Sequence, residues 1–592
     1  MSGEEWFSTD FGKGISPLFK NSWAQSFVDA DEYYTDLRKE VEQTSSGDII
    51  CWIGFEGGEH TPMPVQPNNE EEKSCPPRAD ESADKTWFNV LKEADDRNVS
   101  IRALLNLHPA PGNKYKYSNY ELVTKLNTLK NCNAINDSRF LFQNGTHHQK
   151  IVLVYNAKKG LIAYAGTCDV ETGRIKQKWC ELQCKFMGEA AMELYNIFHK
   201  RYKEHTEVFA RIGSVNSYLK PAAELKSAAP VSGNLLVQIG TTYGNPNRAN
   251  PFYPLLPRFS CPRRQVVHGP HRVELSSESV SLLLSPQVYF IGNDFFAERE
   301  PGAKQLIEEG LKQSQTYVFA PNGHTGIYHM IKKALETTKK FVYMEDQYLI
   351  CDEKMGSLDS ILILLVNKLK EDGFKKLVLF ATRMDDINDD LQFVAWKHRN
   401  NFISQLIAAA PAKVEVCQYK RKGDIGCSGN DYSSIFYIHS KTWIFDDELL
   451  ITGSANCNRR GYSHDSESDV AVYDQDKFFI KELRKKIWKR RLNVKGISRS
   501  PLQDRDLDDF LSACKYWEDP PTYGMAIENS KQTDFRPSKY PDLDAAAYAN
   551  NVTNNPSVPR VTTEPEKSFF KRFIEKNKMD AMWNLVVDPD GS

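Results

Sequence analysis

Two short stretches of this sequence carry residue types suited to handling a phosphoryl group. The later one reads His439-Ser440-Lys441-Thr442-Trp443-Ile444-Phe445-Asp446, followed by Gly453-Ser454-Ala455-Asn456. In extended chain, residues two apart point to the same face, so His439 and Lys441 share one. A neutral imidazole can act as nucleophile or proton carrier, and an ammonium beside it supplies charge to an anion. Alone, H-x-K is a weak signal, most often a half-buried hairpin with a solvated lysine. The earlier stretch changes that. It reads His148-Gln149-Lys150, then an apolar run through Tyr155, then Gly166-Thr167-Cys168-Asp169. The same order twice in one chain points to an internal duplication.

Those residues resemble the signature of the phospholipase D superfamily, H-x-K-x(4)-D followed by G-S/G-x-N, normally present twice. The second copy matches in full. The first has Tyr155 where the signature has Asp, and Asp169 where it has Asn. The tetrapeptide Glu345-Asp346-Gln347-Tyr348 also looks like a variant of a second-half family motif. The wording of the second motif is similar to that of bacterial phospholipase D enzymes, some of which leave the cell without a Sec signal.

The resemblance implies a phosphodiesterase with no metal and no cofactor. His148 would be the nucleophile, forming a phosphohistidine, and His439 the acid that then activates water or an alcohol. Lys150, Lys441, Asn456, Thr167, Ser454, Asp169 and Gln347 would surround the phosphoryl oxygens. Asp446 belongs to the motif and is expected to support its hairpin. A histidine nucleophile needs one unprotonated nitrogen, and a carboxylate on the other nitrogen fixes that tautomer. Glu181 and Glu467 occupy matching places after the two hairpins, and both are expected to orient the histidines.

Around the motifs, helical and apolar extended patterns alternate, which indicates βαβ units. Helices are expected at 32–43, 85–95, 120–129 and 189–202, and again at 329–338, 357–370, 391–409 and 477–491. Strands are expected at 49–55, 99–107, 235–242, 341–344, 377–381 and 414–418. The expected fold is α/β: two similar phospholipase D-like domains, each a mostly parallel mixed sheet flanked by helices, with the active site at their pseudo-twofold interface. The first half spans about 1–210, a linker 211–233, and the second half 234–500 with an insertion at about 245–315. The extension 501–592 ends in an amphipathic piece at 569–585, expected to dock on the core. The hairpin interval is four residues longer in the first copy, so a different local brace is expected where Tyr155 replaces Asp.

The chain has 592 residues, a hydrophobic fraction of 40%, a charged fraction of 26% and a net charge of −2. That balance carries no global basic footprint for nucleic acid. The twelve cysteines are scattered without C-x-x-C pairs, as in a reducing compartment. No signal peptide or membrane span is evident. A monomer, cytoplasmic or peripheral on membranes, with export by a non-Sec route open, is the expectation. The leading function is a phospholipase D that hydrolyses glycerophospholipids to phosphatidic acid and free head group and transfers phosphatidyl groups to alcohols. A nuclease of the same superfamily and an inactive phosphate- or lipid-binding scaffold are the alternatives.

Overall fold

The computed structural model describes residues 3–65, 84–106, 119–137, 145–176, 179–205, 219–228, 235–245, 317–383, 389–420, 437–493, 502–525 and 527–529. The insertion at 245–315 and the amphipathic piece at 569–585 lie outside them, except for residue 245.

The chain runs twice through the same series of elements. The first pass is β1 (Phe19–Val28), α1 (Ala30–Glu42), β2 (Ile49–Gly54), α2 (Trp87–Asp96), β3 (Ser100–Asn106), α3 (Tyr120–Leu126), β4 (Cys132–Asp137), β5 (Ile151–Asn156), β6 (Gly160–Gly166), α4 (Thr172–Lys176), β7 (Leu182–Gly188) and α5 (Glu189–Lys203). The second is β8 (Leu235–Tyr243), α6 (Gly326–Thr337), β9 (Phe341–Asp346), α7 (Ile361–Leu369), β10 (Lys376–Ala381), α8 (Asp389–Ala409), β11 (Val414–Tyr419), β12 (Thr442–Phe445), β13 (Leu449–Gly453), α9 (Arg459–Ser463), β14 (Glu467–Asp474) and α10 (Phe479–Leu492). In space the first half is ordered β4-β3-β2-β5-β6-β7-β1 and the second β11-β10-β9-β12-β13-β14-β8. β1 and β8 pair antiparallel, so one mixed sheet runs through both halves. An antiparallel seam is the pairing that a twofold relation between the halves requires.

Parallel pairing is confined to β2-β3-β4 and β9-β10-β11, the strands joined by helices. The motif hairpins and the seam are antiparallel. Strand residues alternate between two faces. Ile49, Cys51 and Ile53 join the core beneath α5 and α10, while Ile50 and Trp52 join the core beneath α1, α2 and α3. In the second half, α6, α7 and the C-terminal part of α8 close the equivalent outer core. The helix expected at 357–370 begins only at Ile361, because the Ser360 hydroxyl accepts the Ile363 N–H and caps it. The extension packs on the second half. Phe510 stacks on Phe341, Trp517 is fully buried, and β15 (Ile527–Asn529) pairs with β11.

The two motif hairpins differ in strand length and not in loop length. Both turns hold three residues, 157–159 and 446–448. The four extra residues of the first copy lengthen its two strands, so Tyr155 lies inside β5, paired with Ile49 and Leu161. The brace is reversed between the halves. Asp446, in the left-handed region at φ 55°, accepts the N–H groups of Lys339, Lys340 and Phe341 at 2.6–2.9 Å. In the first half the carboxylate comes from the other side: Asp48, just before β2, accepts the Ala157 N–H at 2.8 Å. Asp446 and Lys441 stand at opposite ends of β12, about 16 Å apart at the usual rise per residue. Asp446 thus braces the hairpin from the end of β12 away from Lys441.

Asp446→Ala frees three backbone donors and is expected to lower stability by about 1–2 kcal/mol. Asp446→Asn, which tolerates the left-handed region and keeps an acceptor, is expected to lose less. Denaturant midpoints at unchanged m-value measure both.

Candidate active site

Each histidine is placed by a segment of the opposite half. The segment ending in His148 lies parallel to the one ending in Glu467: the His148 N–H donates to the Ser466 carbonyl, and the Ser466 N–H to the Thr146 carbonyl, both at 2.9 Å. The segment ending in His439 pairs in the same way with the one preceding Glu181, where the Cys180 N–H meets the Tyr437 carbonyl at 2.9 Å. The outcome is two crossed dyads. His439 Nδ1 is 2.8 Å from Glu181 Oε1, and His148 Nδ1 is 3.0 Å from Glu467 Oε1. Glu181 and Glu467 stand at the starts of β7 and β14 and are fully buried, so each half supplies the carboxylate for the other's imidazole. The side chains of His148 and His439 are only 11% and 6% exposed.

The dyads are not equivalent. His148 Nδ1 also meets the Ser454 carbonyl at 2.9 Å. A carbonyl can only accept, so Nδ1 of His148 carries the proton whatever the state of Glu467. His439 Nδ1 has the Glu181 carboxylate as its hydrogen-bond partner.

Lys150 and Lys441 are buried beside the histidines. Each turns its ammonium back to a carbonyl of its own motif: Lys150 to His148 at 2.8 Å, Lys441 to His439. Lys441 also lies 3.4 Å from Gln347 Oε1. Asn456 is buried, and its Oδ1 makes no hydrogen bond.

Three residues expected around the phosphoryl oxygens do other work. Thr167 donates its hydroxyl to Glu181 Oε2 and accepts the Leu182 N–H. Ser454 is tied to the next strand, its hydroxyl accepting the Ser468 N–H at 3.0 Å and donating to the Ser468 carbonyl at 3.4 Å. Asp169 accepts the Phe55 N–H at 2.9 Å and faces Lys150 at 3.3 Å, so it is a counter-ion to that lysine. A second carboxylate-bearing position would repel a phosphate.

Several site residues gave no sequence signal. Trp179 lies 5.1 Å from His439 and 4.6 Å from Tyr437, centroid to centroid. Phe55 meets His148 edge-on at 4.9 Å. Arg174 stacks on Trp179 at 3.9 Å. Only Tyr437 adjoins a motif closely enough to attract notice. The others arrive through the fold, from the end of β2, from α4 and from the segment before β7.

Burial dominates the electrostatics. It pushes both imidazoles well below their usual value, and the nearby Lys441 and Lys150 push them further. The same burial raises Glu181 to about 7, opposed first by Arg174, and holds Glu467 well above the usual carboxylate range. Both histidines are therefore neutral at pH 7, with Nδ1 as donor and Nε2 carrying a lone pair. Two such nitrogens beside two lysines are suited to in-line displacement at a phosphodiester.

Comparison with known proteins supplies a family. Residues 331–491 match the family model described as cardiolipin synthase, PLD-like domain. "Phospholipase D1" of Cricetulus griseus is 18% identical over 576 residues, covering 78% of this chain and 53% of that protein. A "Cardiolipin synthase" of Staphylococcus aureus (strain N315) is 29% identical over 143 residues, covering 24% of this chain and 23% of that protein. The chain thus spans about half the length, or less, of these curated relatives. Among solved structures, the phosphatidylserine synthase of Haemophilus influenzae Rd KW20 aligns with a TM-score of 0.44 and 10% identity, over 85% of this chain and 95% of that one. With two H-x-K hairpins on a duplicated mixed sheet, these matches support the phospholipase D superfamily for this chain.

Glu181→Gln leaves His439 without a fixed tautomer and is expected to lower kcat roughly 10³–10⁴-fold at unchanged KM, the size of loss seen when a triad carboxylate is amidated. Glu467→Gln, with the Ser454 carbonyl still in place, is expected to cost about 10–100-fold, on the scale of a single general acid–base contribution. Steady-state kinetics of the two variants compares them. A lowered imidazole pKa keeps the neutral form present at lower pH, so the acid limb of kcat/KM is expected below the ordinary histidine value of about 6.5. A limb at or above it would contradict the burial argument.

Proposed function

We propose that this protein is a phospholipid phosphodiesterase of the phospholipase D type, which cleaves a glycerophospholipid to phosphatidic acid and free head group and passes the phosphatidyl group to alcohols where these are present. The observation that carries it is the pair of crossed imidazole–carboxylate dyads with two buried lysines between them. The phospholipid-directed names of the relatives support the lipid substrate.

His148 Nε2 attacks phosphorus. A P–N bond forms and the P–O bond to the head-group alcohol breaks, the leaving oxygen taking the Nε2 proton of His439. That proton comes from solvent as the diester binds, its anion offsetting the Lys150 and Lys441 charges that, with burial, otherwise hold His439 neutral. Glu181 stabilises the imidazolium so formed. Water, or an alcohol, then gives its proton to His439 and attacks phosphorus, forming a P–O bond as the P–N bond breaks. Lys150, Lys441 and the free Asn456 amide balance the equatorial oxygens through both steps. The substrate is presented at a membrane surface. Among the described residues no helix is long and apolar enough to cross a membrane.

The test is incubation with phosphatidylcholine or phosphatidylethanolamine vesicles in the presence of ethanol. Phosphatidic acid and phosphatidylethanol are expected, and both are lost in His148→Ala and in His439→Ala. Cleavage of a nucleic-acid diester with no lipid product would overturn the substrate. No turnover of either, with phosphate still bound, would favour the scaffold.

A further inference from the structure

The two halves are each other's control, and they differ at one charged pair. Where the second half has the neutral Asn456, the first has Asp169. Where the second has Gly461 in α9, the first has Arg174 at the matching place in α4. Arg174 is fully buried, its side chain 1% exposed. It lies 3.5 Å from Glu181, 3.6 Å from Asp169 and 3.4 Å from Glu56, with its guanidinium over Trp179. Its Nε and Nη1 make no hydrogen bond, so no geometric clamp of the usual bidentate kind accounts for it. The arginine near the other dyad, Arg460, is held by Asp465 in such a clamp, at 2.7 and 2.9 Å.

The dyads also differ in what fixes their tautomers. The Ser454 carbonyl fixes that of His148. The tautomer of His439 depends on Glu181 remaining an acceptor, because a protonated Glu181 could turn its O–H toward Nδ1 and move the imidazole proton to Nε2. That would remove the lone pair on Nε2. Glu181 sits where burial favours its protonated form, and Arg174 is the strongest influence against it.

We propose that Arg174 is a positioning residue for the reaction: bracketed by Glu181 and Asp169, its guanidinium keeps Glu181 an acceptor for the Nδ1–H of His439 and neutralises the carboxylate that stands in place of the motif asparagine. The proposal rests on the reading above that His439 exchanges a proton at Nε2. It assigns the Asp169 departure a partner. Arg174 offsets the charge that Asp169 brings and that Asn456 does not. Asp169 is shared between Lys150 at 3.3 Å and Arg174 at 3.6 Å, so without Arg174 it rests on Lys150 alone and draws more of that charge away from the phosphoryl group.

The test compares the full-length protein with Arg174→Gln, Arg174→Lys, Asp169→Asn and the double variant Asp169→Asn/Arg174→Gln. The readouts are the ¹⁵N imidazole spectrum of His439 and turnover of bis(4-nitrophenyl) phosphate, a diester with no lipid part. In the parent His439 is the Nδ1–H tautomer. Arg174→Gln is expected to shift a large share of it to Nε2–H and to lower kcat roughly 30–100-fold, with KM changed by less than about threefold. Arg174→Lys, a point charge without the planar fork, is expected to fall between. Asp169→Asn in the Arg174→Gln background is expected to recover about tenfold in kcat, a coupling of neighbouring charges. An unchanged His439 tautomer in Arg174→Gln, or kinetic losses that simply multiply in the double variant, would overturn the proposal and leave Arg174 a packing element. If Arg174→Gln does not fold, the double variant, which buries no unopposed Asp169 charge, and Arg174→Lys decide the same question. The spectra need no turnover, so a protein inactive on lipid would end the phospholipase reading without deciding that of Arg174.

Discussion

The structure depends on one exchange: each half places its carboxylate against the other half's imidazole. Glu181 reaches His439 and Glu467 reaches His148, at 2.8 and 3.0 Å. An uncompensated buried carboxylate or imidazolium is costly, so neither group is at ease without its partner. The crossing therefore couples the halves in addition to the β1–β8 seam. Backbone bridges at His147–Ser466 and Cys180–Ile438 set the approach. The hydroxyl of Thr167 braces Glu181, and the aromatic rings of Phe55, Trp179 and Tyr437 line the two imidazoles.

This arrangement explains why a departure at Tyr155 is tolerated. The motif aspartate braces the hairpin against the neighbouring strand from a point far from the imidazoles. In the first half, Asp48 makes the same kind of brace in the opposite direction, from strand to hairpin. The chemistry needs the hairpin held, and the side supplying the carboxylate is interchangeable. The departure at Asp169 is different, because it changes charge at the site itself and needs a partner there.

Much of the site was legible from spacing. His148, Lys150, His439 and Lys441 sit on the same face before their strands because a period of two is built into extended chain, and Glu181 and Glu467 follow from their matching places. That the pairs cross was not legible, because spacing says nothing about which half of a duplicated fold a side chain meets. Arg174, Trp179 and Phe55 come from elements with no motif spacing. The mixed α/β sheet and its helices followed from periodicity. β1 did not: its polar residues Lys20, Asn21, Ser22, Gln25 and Ser26 hide a strand that lies at the seam. The extension begins as a set of short turns, Asp504–Leu507, Phe510–Ala513 and Lys515–Glu518, because Asp509 caps a new one at Phe510. The longer interval of the first hairpin also misled on its location, since the extra residues extend its strands.

The crossed pairing is tested most directly by imidazole ¹⁵N spectra of the protein with only His148 or only His439 labelled. Glu467→Gln should move the resonances of His148 and leave those of His439 in place, and Glu181→Gln should do the reverse. Each carboxamide acting on the histidine of its own half, or on neither, would contradict the account.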